Sequence, residues 1–123
     1  MTPMLATLAL ASLLSAGPPK LASPGFKSFK LRIELALFYS NDFANRLREH
    51  GVEVLTSGDI ELVLGIERQK ELIGCGGDGS NCVTELVDAF GVDGVITGSI
   101  GKFDNTYRIN ISVISAADAK QMD

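Results

Sequence analysis

Histidine occurs once and cysteine twice in the 123-residue sequence, and that scarcity excludes most metal chemistry. Two thiolates are too few ligands for a zinc centre, and His50 has no spacing relation to Cys75 or Cys82. Excess positive charge is missing too. Eleven Lys and Arg stand against 15 Asp and Glu, a formal net charge of -4, which argues against nonspecific nucleic-acid binding. The one apolar run of note, Met4–Ser15, is too short to cross a bilayer as a lone helix, so no transmembrane span is expected. No Gly-x-Ser-x-Gly elbow, supported carboxylate pair or His/Cys pairing is present, so no catalytic residue is named and an enzyme is not expected. Gly76-Gly77-Asp78-Gly79-Ser80 lacks the Lys-Ser/Thr ending of a phosphate loop. Gly98-Ser99-Ile100-Gly101 does not match a dinucleotide fingerprint. No cofactor is implied, and there are no internal repeats.

What is present suffices for one domain, since 46% of the residues are apolar and the length suits a single core. The run at Met4–Ser15, followed by Ala16-Gly17-Pro18-Pro19, reads as the hydrophobic part of a signal peptide over 1–22. The competing reading is a loosely packed tail, because no Lys or Arg precedes the run and no clean cleavage site follows it. Pro24 and Gly25 make 23–28 a linker, the domain proper covers 29–115, and 116–123 is a flexible tail. An exported protein, periplasmic or associated with the outer envelope, is therefore expected. No Cys follows the run, which argues against a lipoprotein anchor.

Phe29, Leu31, Ile33, Leu35 and Leu37 alternate with Lys30, Arg32 and Glu34, the pattern of a strand. Ser40-Asn41-Asp42 would stop it and cap a short helix over Asp42–His50, closed by Gly51. Val52–Leu55 follows as a strand. Ser57 is the expected N-cap of a helix that either runs to Leu72 or breaks at Gly65. Glu67–Glu71 reads as a mixed-charge surface run. Val83, Leu86, Val87 and Phe90 form a helical stripe closed by Gly91.

The clearest pattern lies in a C-terminal antiparallel hairpin, 93–114, with a two-residue turn at Asp104–Asn105. That turn sets Ile100 opposite Ile109, Gly98 opposite Ile111 and Ile96 opposite Val113. The apolar side chains collect on one face as a floor for the helices. Arg108, Asn110 and Ser112 collect with Thr97 and Ser99 on the other. The fold expected is α/β (α+β), a small mixed sheet of about four strands with three to four helices. In an exported chain Cys75 and Cys82 should close a disulfide. Strand 107–113 is a candidate sheet edge, with Arg108, Asn110 and Ser112 as its outward interaction residues.

Leu64-Gly65-Ile66-Glu67-Arg68-Gln69-Lys70-Glu71-Leu72-Ile73-Gly74-Cys75, then Ser80-Asn81-Cys82-Val83-Thr84-Glu85-Leu86, then Ala89–Gly101 resemble an uncharacterised myxobacterial-type envelope domain. Such domains are similar to the amino-terminal domain of TolB and to the CsgG-like fold group. The likeness covers about 47–115. It implies an α/β sheet acting in envelope assembly and protein contact rather than catalysis. The first helix, expected here over only Asp42–His50, is shorter than in that group. The function expected is thus a non-catalytic exported protein of the cell envelope, a protein-interaction or assembly module. Its partner would be another envelope protein or a second copy met through a sheet edge. The alternative is a small-ligand, anion-binding or enzymatic domain using the loop Gly76–Asn81.

Overall fold

The computed structural model describes residues 17–75 and 81–117. Among the described residues, five strands and four helices form one α/β domain. In chain order they are β1 (Lys20–Ala22), β2 (Lys27–Phe29), α1 (Ile33–Glu49), β3 (Glu53–Leu55), α2 (Ser57–Leu64), α3 (Ile66–Glu71), α4 (Cys82–Phe90), β4 (Gly94–Phe103) and β5 (Thr106–Ser115). The strands make one mixed sheet organised on β4. Along one side of β4, β1 pairs with Gly94 and Val95, and β2 pairs with Ser99–Gly101, both parallel. These two short strands therefore lie end to end. β3 pairs with β1, also parallel, at one margin. β5 pairs antiparallel with the whole of β4 at the other. The hairpin register agrees with expectation: Ile100 faces Ile109, Gly98 faces Ile111 and Ile96 faces Val113. Asp104 takes φ 55° in the turn.

Helices cover both faces. On one, α1 closes a cluster of Phe26, Ala36, Ala44, Val54, Ile96 and Ile100. On the other, α2, α3 and α4 close a second cluster around Ala22, Ile60, Leu72, Leu86 and Val95. Alternate residues of one strand thus serve opposite cores: Ile96 and Ile100 go to the first and Val95 to the second, as the two-residue period requires. Gly98 is placed by contact. A Cβ there would lie 2.8 Å from the Phe26 ring and 2.8 Å from the Asn110 carbonyl oxygen, so only glycine lets Phe26 settle on β4.

Three expectations are corrected. The strand over Phe29–Leu37 and the short helix Asp42–His50 are replaced by β2 and the 17-residue α1. The buried face of α1 is Ala36, Ser40 and Ala44, four apart, with Phe43 and Leu47 half-buried beside it. Small residues let the helix lie close to the sheet but hardly register in an apolar pattern, whereas the large residues Ile33, Phe38 and Tyr39 are exposed. Asp42 does not start the helix. It sits on the solvent side and accepts from Arg46 Nε at 3.1 Å, one turn on. Second, 23–28 is no linker. Ser23, Pro24, Gly25 and Phe26 are all buried. The Gln69 side-chain amide donates to the Pro24 carbonyl at 3.0 Å, and the Gly74 N–H donates to the Gly25 carbonyl at 3.0 Å. Pro24 and Gly25 interrupt the sheet ladder without leaving the core. Gln69, expected at the surface, is buried to make that bond. Third, Thr56 rather than Ser57 caps α2, its N–H donating to the Asp59 carboxylate at 2.9 Å.

The domain also starts earlier than residue 29, since Lys20–Ala22 is the strand between β3 and β4. At the other end the Ala116 N–H donates to the Asp93 carbonyl at 2.8 Å, so the first tail residue is tied to the sheet. Residues 118–123 lie outside the described residues. Of the two readings of 57–72 the broken one holds: Gly65, at φ 91°, separates α2 from α3.

Candidate interaction edge

Ten residues of β5 form a sheet margin whose outer side has no strand beside it among the described residues. The direction of its backbone groups follows from one bond. In an antiparallel pair, alternate residues turn both N–H and C=O toward the partner strand. Ala116 donates inward to Asp93, so the even-numbered residues Arg108, Asn110, Ser112 and Ile114 turn their backbones to β4. Tyr107, Ile109, Ile111 and Val113 turn theirs outward. The structure therefore separates two properties that the sequence reading had joined. Arg108, Asn110 and Ser112 present side chains on the polar face, but the open hydrogen-bonding groups belong to their apolar neighbours.

Those neighbours are exposed: Tyr107 at 52%, Ile109 at 55%, Ile111 at 38% and Val113 at 57%. The expectation that this whole apolar face floors the helices holds for β4 and fails for β5. Ile96 and Ile100 lie under α1, while the residues opposite them lie in the next strand out, beyond its cover. Apolar side chains exposed in one contiguous row, rather than scattered singly, mark an interaction surface. Natural sheets usually protect a long edge with charges, proline or a bulge. Here the ladder from Gly94–Ser115 to Phe103–Thr106 is unbroken, and Arg108 is the only charged residue in β5.

On the polar face, the Arg108 guanidinium lies 6.0 Å from the Phe103 ring centre, which Lys30 Nζ also approaches at 5.8 Å. Cations over an aromatic face are attracted by its quadrupole. Asn110 and Ser112 help line a shallow groove of about 380 Å³, together with Lys27, Phe29, Ile73, Thr97 and Ser99. Its floor holds hydroxyl and amide groups but no general acid or base beyond the Lys27 amine.

Cys75 and Cys82 are joined, their Cα atoms 5.9 Å apart. The bond ties the segment after α3 to the first turn of α4, and Cys75 is itself in the core. A second tie runs alongside it. The Arg68 guanidinium of α3 donates to both carboxylate oxygens of Glu85 on α4, Nε at 2.8 Å, and also reaches Glu71. Glu85 is held below the usual carboxylate range by its bond from Arg68, and Arg68 is raised in return by Glu85 and then Glu71. With a lowered folded-state value, this glutamate adds stability above its unfolded pKa and loses it as pH falls through the lowered one. Replacing both cysteines by serine should lower unfolding stability by about 2.5 kcal/mol, the loop-closure entropy of so short a ring. Urea denaturation of the C75S/C82S chain beside the parent measures it.

The alternative site places its loop at Gly76–Asn81, of which 76–80 lie outside the described residues. The described surface next to it, Thr84, Glu85 and Asp88 of α4, is acidic and would repel an anion. His50 terminates α1 with Nδ1 2.9 Å from the Arg46 carbonyl oxygen, well placed for the negative end of a helix. Among the described residues, no three His, Cys, Asp or Glu side chains are grouped to hold a metal, and no helix is long and apolar enough to cross a membrane. The chain matches no family model, no curated protein and no solved structure.

Proposed function

We propose that this chain is a non-catalytic interaction or assembly module of the cell envelope, working by strand addition along β5. The observation that carries the reading is the combination of outward backbone groups and exposed apolar side chains on Tyr107, Ile109, Ile111 and Val113. An added strand would satisfy the first and shield the second. Export is supported by the disulfide, since such bonds persist in oxidising compartments. The resemblance of 64–101 to envelope domains points the same way. The test is affinity capture from envelope fractions by the parent chain and by an I109K/I111K variant, whose circular dichroism spectrum should match the parent because both positions are exposed. Partners retained by the parent and lost by the variant are expected. Equal capture by both, or capture by neither of any protein, copies of this chain included, overturns the reading.

A further inference from the structure

We infer that the strand added to β5 is β5 of a second copy, running antiparallel about a two-fold axis beside Asn110. This rests on the strand-addition reading and names its occupant. Two copies can bond across this edge only where outward-facing residues meet outward-facing residues. Of the registers that satisfy this, one engages all four on both chains: Tyr107 opposite Val113 and Ile109 opposite Ile111, each pair occurring twice. Every exposed apolar side chain of the strip then meets an apolar side chain on the same face. On the polar face the same register sets Asn110 opposite Asn110 and Arg108 opposite Ser112. Arg108, the sole charge of β5, thus never meets its own copy, and no like charges are opposed.

The edge is accordingly complementary to itself in backbone, apolar side chains and charge, as an isologous contact demands. The four mutual pairs supply about eight main-chain hydrogen bonds. The joined sheet would be about eight strands across, within the size that twisted open sheets tolerate. The other margin offers no such contact, because β3 has only three residues. A foreign strand would have to reproduce an alternation that the chain already carries.

Single-cysteine variants of the full chain test the register. The native cysteines are bonded to each other, so an introduced thiol is the only free one. Asn110 sits beside its symmetry mate at a position where Cβ atoms come close enough for a disulfide. Under mild oxidation N110C should run at twice the monomer mass. R108C and S112C should not cross-link alone but should cross-link when mixed. The parent should sediment as a dimer, and I111P should be monomeric while still folding, because that amide faces away from β4. Equal cross-linking at every position, a centre elsewhere than Asn110, or a parent monomeric at all concentrations overturns the inference. If the parent is monomeric yet the I109K/I111K chain loses captured partners, self-pairing fails and the edge reading stands. If capture is also unchanged, both fail.

Discussion

A chain that starts at Ser23 is expected to be unfolded. β1 is only Lys20–Ala22, yet it is the strand through which β3 joins the sheet. Its removal takes from β3 the strand it pairs with and takes fully buried Ala22 out of the second core. The bonds lost cluster at this point: Glu53 N–H to the Pro19 carbonyl at 3.0 Å and Asp93 N–H to the Lys20 carbonyl at 2.7 Å, flanked by Lys20 N–H to the Asp93 carboxylate at 2.9 Å. A small domain has only about 5–15 kcal/mol in hand, less than loss of a central strand removes. Circular dichroism with thermal melting should show a cooperative transition for a chain starting at Gly17 and none for one starting at Ser23. A leader removed after Ala22 would therefore take a strand with it, and a cut before Lys20 would not.

Leu86→Ala should cost about 3–4 kcal/mol, in the upper part of the range for deleting a buried leucine. Leu86 has no exposed surface and packs with Ile60, Leu72, Val83 and Val95. α4 has nine residues, too few to hold as a helix without tertiary packing. Its chain is tethered at Cys82 and closed by Gly91 at φ 65°, so the surroundings have little freedom to collapse into the cavity. Guanidinium unfolding of L86A against the parent measures the loss. A cost under about 1 kcal/mol would mean that α4 contributes little to the second core.

The hairpin was legible because its turn and its alternation agree, and each fixes the register independently. Helix α4 was legible because Val83, Leu86, Val87 and Phe90 repeat at helical spacing up to a glycine. α1 was not legible, for a reason contained in its residues. Its first turns place Ile33, Leu35 and Leu37 at every second position, which mimics a strand, while the face that packs is Ala36, Ser40 and Ala44. The helical period became visible only from Phe43 and Leu47 onward, so half the helix was read as something else. β1 and β2 escaped because strands of three residues are too short for alternation to show, and Pro24-Gly25 between them has the composition of a surface loop.

The candidate edge was half legible. The sequence offers strand 107–113 as an edge through Arg108 and Asn110 on its polar face, and the structure places it at the margin beside β4. Which of its residues hold the free hydrogen-bonding groups depends on the parity set by the hairpin, and parity assigns them to Tyr107, Ile109, Ile111 and Val113 rather than to Arg108, Asn110 and Ser112. That those four stay in water depends on how far α1 reaches across the sheet, which no local pattern records.

The bond from Lys20 to Asp93 spans 73 positions, and this sets the order in which the chain can assemble. As the polypeptide emerges from the ribosome, its first strand can meet β3 midway, but β4, which encloses its other side, is made much later. Helices and the hairpin can form from near neighbours, but closing the sheet is a long-range event and comes late. Until then β1 keeps one side open, and a chain whose sheet is not yet closed can still be threaded through a narrow pore.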